Sequence, residues 1–282
     1  MPSTCLQPPL TSQHPLHSWL SAALALAGAM VTMPVTAQGT LQSVKTDLRV
    51  VSTQRIFFGH QSVGDNLLDG VRQLAKEAQL ALNIVEVNTA SALPANTLGH
   101  THVADNTQPL KKLASFEQAM GKQPAGLSIA LLKFCYVDIH PGTDVKQLFS
   151  AYQQTVSRLK ATHPGTTILH VTTPLTTVQT GWKATIKAWL GKAPYGAQEN
   201  LKREEYNQLL RQAYGQKEPL FDLARVETLL PDGRPNLVTW KNQPVPALVP
   251  AYSDDGEHLN AEGQRHAARA LLAALAKAGS RP

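Results

Sequence analysis

Cysteine is nearly absent from this 282-residue chain; only Cys5 and Cys135 occur. With Cys5 in a leader-like stretch, Cys135 stands alone, which excludes a disulfide-stapled scaffold. Cys135 sits in an apolar run and reads as a buried, inert thiol. There is no Cys-x-x-Cys and no His/Cys cluster with zinc spacing, so the expected metal content is none. Charge is sparse too, at 16% Asp, Glu, Lys and Arg, with a net charge of +6. The basic residues, among them Lys111-Lys112, Lys183, Lys187, Lys192 and Lys202-Arg203, are scattered and read as a solvated surface. No basic run with interleaved aromatics suggests a nucleic-acid groove. Repeats, heptad arrays and low-complexity blocks are missing as well, and no linker divides the chain.

The N-terminus lacks charge altogether. Met1 to Ala37 contains no Lys, Arg, Asp or Glu, and Trp19 to Met33 is a continuous apolar run. Val35 and Ala37 are small residues suited to the −3 and −1 pockets of a signal peptidase. The expectation is a secretory signal over 1–37, cut after Ala37, and one domain over 38–282. The missing positive charge in the n-region is a departure from the usual leader. The alternative is a membrane anchor, but the run is short of the ~20 residues a span needs. Cleavage leaves no stable membrane insertion and places the protein in the periplasm or outside the cell.

The rest alternates strand-like and helix-like segments. Arg55–Phe58, Leu82–Val87, Leu127–Cys135, Thr167–Val171 and Pro219–Asp222 read as strands, with Asn236–Trp240 a possible addition. Helical spacing runs over Asp65–Leu80, Gln108–Met120, Asp144–His163, Asn200–Tyr214 and Asn260–Ala278. Asn88 to Asn106 reads as a long irregular stretch. Strands alternating with helices predict an α/β fold, with a mostly parallel sheet covered on both faces.

Two segments place chemistry at loop–helix junctions. In Phe57-Phe58-Gly59-His60-Gln61-Ser62-Val63-Gly64, Ser62 falls at a strand-to-helix turn. Free backbone N–H groups there can receive a developing oxyanion. Gly59 and Gly64 would let the backbone bend and substrate approach. Ser62 could equally cap the helix. In Ser253-Asp254-Asp255-Gly256-Glu257-His258-Leu259-Asn260, His258 can accept a serine proton and Asp255 can hold its imidazole. Asp254 is the other candidate for that second role, and both aspartates also suit a turn.

The combination of Gly59-x-x-Ser62 with Asp255-x-x-His258-Leu259-Asn260 before a terminal helix resembles the SGNH/GDSL hydrolase superfamily. Phe58-Gly59-His60-Gln61-Ser62-Val63-Gly64, Lys133-Phe134-Cys135-Tyr136-Val137-Asp138 and Phe221-Asp222-Leu223-Ala224 resemble a bacterial SGNH-like subgroup. Its nucleophile turn replaces the literal Gly-Asp-Ser-Leu. The resemblance spans about Arg55 to Leu272. It implies a three-layer α/β/α fold, acyl transfer through Ser62, His258 and Asp255, and no cofactor. It also implies two further oxyanion donors, a Gly after strand two and an Asn after strand three. Ala104-Asp105-Asn106 occupies roughly the first place, and the usual Gly-x-Asn-Asp is missing from the second. Asn106 is the preferred substitute donor, Tyr136 the lesser one, and Gly64 lies beside Ser62.

The expected activity is an exported serine esterase, with O-acetylated carbohydrate as one substrate class. An O-acyltransferase using the same serine and a non-catalytic glycan-binding scaffold are the alternatives. Asp138, His140 and Asp144 lie close in sequence without a strong metal signature; Asp138 reads as a turn cap. His60 reads as a loop histidine, and His100 and His102 as residues of a solvated loop. Trp182, Trp189 and Trp240 read as packing residues, or as sugar-stacking ones if exposed.

Overall fold

The computed structural model describes residues 37–121 and 126–280. The apolar run of the expected signal segment lies outside the described residues. In chain order the elements are helix α1 (Ala37–Val51), strand β1 (Arg55–His60), α2 (Ser62–Ala78), β2 (Ile84–Glu86), β3 (Thr97–His102), α3 (Pro109–Met120) and β4 (Ile129–Leu132). Then come α4 (Val145–Thr162), β5 (Thr167–Ile168), β6 (His170–Val171), α5 (Gly181–Trp189), α6 (Ala197–Tyr214), β7 (Leu220–Phe221) and α7 (Leu223–Thr228). A hairpin, β8 (Leu237–Trp240) and β9 (Gln243–Pro246), precedes the last helix, α8 (Ala261–Gly279).

The sheet has the order β2-β3-β1-β4-β5, and every pairing in it is parallel. Leu169 alone separates β5 from β6, and β6 pairs in parallel with β7. Strand side chains alternate between two cores. Ile56, Phe58, Ile129 and Leu131 pack with α1, α2 and α8 through Leu48, Leu67, Val71, Leu271 and Leu275. Phe57, Ala130 and Leu132 pack with α3, α4 and α6 through Phe116, Leu148, Val156, Tyr206 and Leu210. The fold is therefore three layers, α/β/α, around a parallel sheet. No helix among the described residues is long and apolar enough to cross a membrane.

Several elements differ from the sequence expectation. Helix α1 was not anticipated, although Val44, Leu48 and Val51 recur at helical spacing and are buried. The stretch Asn88–Asn106 is not irregular throughout; it contains β3. Its buried residues include Thr97, His100 and Thr101, so an apolar pattern could not reveal it. Helix α2 begins at Ser62 rather than Asp65. Asn236–Trp240 contributes β8, and the β8–β9 turn uses Lys241 and Asn242 at φ 48° and 58°. That left-handed pair suits a two-residue hairpin.

His170, on β6, is fully buried. Its Nδ1 lies 2.7 Å from the Tyr152 hydroxyl and its Nε2 3.0 Å from Glu218, which also pairs with Lys160. Tyr214 stacks on the ring at 3.7 Å. Burial pushes this imidazole from 6.5 down to about 4, against the pull of Glu218. A histidine with a depressed folded pKa binds fewer protons folded than unfolded. Its contribution is therefore present above about pH 6.5 and lost as pH falls toward 4. Within that window one such group changes stability by at most about 1.4 kcal/mol per pH unit. His170→Gln is expected to flatten the stability–pH slope there by about one proton. Urea unfolding at several pH values checks this; parallel slopes for the two proteins would refute it.

Candidate active site

Strand β1 runs apolar through Phe58 and ends at Gly59-His60. Gln61 then turns the chain as the N-cap of α2, and Ser62 is the first helical residue. The free N–H groups of that first turn and the helix dipole favour negative charge beside Ser62. Gln61 fixes the turn: its Nε2 donates to the carbonyls of Val103 (3.0 Å) and Ala104 (2.6 Å), beyond the end of β3.

Across from Ser62 lies the loop before α8. His258 Nε2 is 3.1 Å from Ser62 Oγ, and His258 Nδ1 is 2.8 Å from Asp255 Oδ2. Asp255 Oδ1 accepts the backbone N–H groups of Glu257 (2.8 Å) and His258 (2.7 Å). Burial alone would raise the Asp255 carboxyl, but those two N–H groups and the imidazole hold it well below the usual carboxylate range. The aspartate is thus a fixed acceptor, and Nδ1 is the nitrogen that carries the imidazole proton. Asp254 does not take that place; its Oδ1 accepts from Asn260 Nδ2 at 3.1 Å. Asn260 in turn caps α8 through Gly263 N–H. The pairing of helix and loop is set by Asn66, one turn after Ser62, whose Oδ1 accepts Leu259 N–H at 3.1 Å.

The other expected contacts separate. Gly64 lies behind the site: its N–H donates to Gln61 O at 2.6 Å, and an added Cβ would stand 2.2 Å from the His60 ring. Gly59 likewise makes room for Phe116, which an added Cβ would meet at 2.5 Å. Each glycine thus leaves room for a closely packed neighbouring side chain. Tyr136 lies edge-on to His258, with ring centroids 5.7 Å apart, but its single hydroxyl proton goes to Glu257 Oε2 at 2.7 Å. It is therefore not free to donate to an oxyanion. Burial, then Glu257, pushes its pKa well above the ordinary value.

Asn106 is exposed on the loop after β3, whose first residues Gln61 holds. Lys112 Nζ, a donor only, bonds Asn106 Oδ1 at 2.8 Å, which leaves the Nδ2 end of the amide to donate elsewhere. Lys112 also pairs with Asp138 at 2.7 Å, both side chains fully buried. Asp138 further accepts Thr107 N–H (2.9 Å) and Cys135 N–H (2.6 Å). Asp138 is thus a turn cap that also anchors the Asn106 loop. Within that loop Ala104, at roughly the place where the resemblance implies Gly, has φ 39°, and Thr107 has φ 69°. Side chains rarely adopt that region, and here the hydrogen bonds of Gln61 and Asp138 impose it.

His60, expected in a loop, is the fully buried last residue of β1. Its Nε2 is 3.0 Å from His100 Nδ1, and its Nδ1 is 3.1 Å from Gln61 O. His102, on β3 and not in a loop, places Nε2 2.9 Å from Asp65 Oδ2. Burial pushes His60 down to about 3 and lowers His100, whereas the Asp65 hydrogen bond raises His102. Ligand atoms of His60, Asp65 and His100 lie within 4.8 Å of one another and are the residues that could hold a metal among those described. The His60–His100 contact already serves both nitrogens as an ordinary hydrogen bond.

No protein-family profile and no curated protein matches the chain. Solved structures do. One is described as a lipolytic protein of the G-D-S-L family from Desulfitobacterium hafniense, at 9% identity and TM-score 0.46, covering 79% of this chain and 99% of that one. A Salmonella ser. Paratyphi A lipopolysaccharide acetyltransferase periplasmic domain matches at 13% and 0.42, covering 83% and 86%. A Clostridium thermocellum family 3 carbohydrate esterase matches at 14% and 0.38, covering 78% and 98%.

Sequence reasoning missed Gln61, Asn66, Lys112 and Glu257 as site supports. Lys112 had been counted with the solvated basic residues; it is wholly buried. The one available signal was its place on the inward stripe of α3, with Leu113 and Phe116.

Proposed function

We propose that this protein is an exported serine hydrolase that cleaves acyl esters. One observation carries the reading: the continuous hydrogen-bonded chain Ser62–His258–Asp255 at the N-terminus of α2. Ser62 Oγ attacks the ester carbonyl while His258 Nε2 takes its proton. Asp255 holds the imidazole in the required tautomer and stabilises the imidazolium. The tetrahedral oxyanion is received by the Ser62 N–H and by Asn106 Nδ2. His258 then returns its proton to the leaving alcohol. Water, activated by the same nitrogen, cleaves the acyl-enzyme and restores the serine. The expected substrates are esters met outside the cytoplasm, O-acetylated polysaccharide among them.

A fluorophosphonate probe followed by mass spectrometry tests the reading. Label is expected on Ser62, absent in Ser62→Ala and much slowed in His258→Ala. A folded protein that takes no label at Ser62 would overturn it. With an acetyl ester as substrate, passage of the acetyl group from Ser62 to an added sugar alcohol in preference to water would convert the assignment from hydrolase to transferase.

A further inference from the structure

The segment between β6 and α6 carries a surface that the ester chemistry does not use. Helix α5 leaves Trp182 70% exposed, Ile186 48%, and Trp189 85%, with Leu190 following at 56%. These positions follow i, i+4, i+7 and i+8 spacing, so they form one stripe. The sequence expectation of buried tryptophans is corrected here for Trp182 and Trp189. Lys183 and Lys187 border the stripe, and Lys192 follows it. From Pro164 to Gln198 the chain contains no Asp or Glu, so these lysines have no acidic neighbour in sequence. Along the chain these lysines thus form a stretch of one charge sign.

Position gives the stripe its meaning. The arm bearing α5 is closed at its base by Gln179 N–H to Tyr195 O at 3.0 Å. That base is tied to the loop carrying His258: Thr177 N–H donates to Gly256 O at 2.8 Å, and the Tyr195 hydroxyl donates to Glu257. An occupant of the stripe would lie beside the mouth of the candidate active site.

We infer that α5 docks this protein onto an anionic lipid bilayer. The tryptophans, Ile186 and Leu190 enter the headgroup–acyl boundary, and Lys183, Lys187 and Lys192 meet anionic headgroups. Two properties select a bilayer over other occupants. Large apolar side chains on one helical stripe need a surface they can enter, and one-sided lysines need negative charge along its rim. The inference does not depend on the reactivity of Ser62.

Vesicle co-sedimentation tests it, with phosphatidylcholine vesicles prepared with and without phosphatidylglycerol. Binding is expected only with phosphatidylglycerol, with a blue shift of tryptophan emission and weakening as salt rises. Lys183→Glu/Lys187→Glu is expected to weaken binding at least about 25-fold, roughly fivefold per lysine. Trp182→Ser/Trp189→Ser is expected to abolish the emission shift while circular dichroism stays unchanged. Ser62→Ala should bind vesicles as the unaltered protein does, which separates this test from that of the hydrolase reading. Absence of vesicle binding at low salt would overturn the inference. So would equal binding to both vesicle types, binding to a soluble anionic polysaccharide alone, or a dimer in solution that Trp182→Ser/Trp189→Ser dissociates.

Discussion

Ser62→Ala and His258→Ala are each expected to lower kcat on a small acetyl ester at least about 10³-fold, with little change in melting temperature. Both side chains sit at the site's rim, so neither truncation opens a core cavity. The two losses should not add: in the doubly substituted protein the rate should fall little further, because the serine has no nucleophilic strength without its base. Asp255→Asn should cost less than either, since Asp255 acts through His258 and is itself half exposed. Its cost should still be large, because an amide at this position can present its N–H to Nδ1 and turn the imidazole to the wrong tautomer. Asn106→Ala is expected to lower kcat by about 10²–10³ with a smaller effect on KM, the pattern of a donor engaged mainly in the transition state. The check is steady-state kinetics on purified variants. If Ser62→Ala retained more than a few per cent of the activity, the serine mechanism would fall. If Asn106→Ala were silent, the second oxyanion donor would have to be sought elsewhere.

What the sequence revealed, and what it hid, follows from the range of the interactions. Ser62 after an apolar strand and Asp255-x-x-His258 before a helix are local patterns, each contained in a few residues. The pairings that orient them are not local. Leu259 N–H reaches Asn66 across 193 positions, and Tyr136 reaches Glu257 across 121. No spacing rule connects such residues. The strands with apolar side chains on both faces, β1 and β4, were readable for the same physical reason that they are central: both faces are covered by helices. Strand β3 is equally buried but is built from Thr97, Leu98, Gly99, His100 and Thr101, whose polar atoms find partners inside the protein. His60 and Thr97 illustrate how: one faces His100, the other accepts from Asn83. Helix α5 escaped notice because its apolar stripe faces solvent. Its periodicity was present, but without knowing which side is inside, Trp182 and Trp189 read as packing residues.

Lys112→Met is expected to destabilise the protein by about 3–5 kcal/mol, because it leaves the fully buried Asp138 carboxylate without its cation. Methionine preserves most of the lysine's apolar stem, so the loss reports the charge rather than a cavity. The carboxylate would keep the N–H groups of Thr107 and Cys135, and these moderate the cost. Asp138→Asn should also be costly, since an amide placed there turns a donor toward one of those N–H groups. The two substitutions share one interaction, so Lys112→Met/Asp138→Asn is expected to cost clearly less than the sum of the single changes. Urea unfolding of the four proteins measures this coupling; strict additivity would mean that the pair contributes little beyond burial. On the proposed mechanism the same pair also bears on the rate. Lys112 is the donor that holds Asn106 Oδ1, and Asp138 anchors the Thr107 backbone next to it. Lys112→Met should therefore lower kcat under conditions where the protein remains folded, with KM changed less. Lys112→Arg, which restores a cation but not a point donor of the same reach, should recover stability more than rate. A Lys112→Met protein that is destabilised but fully active would separate the ion pair from the site and reduce it to a structural role.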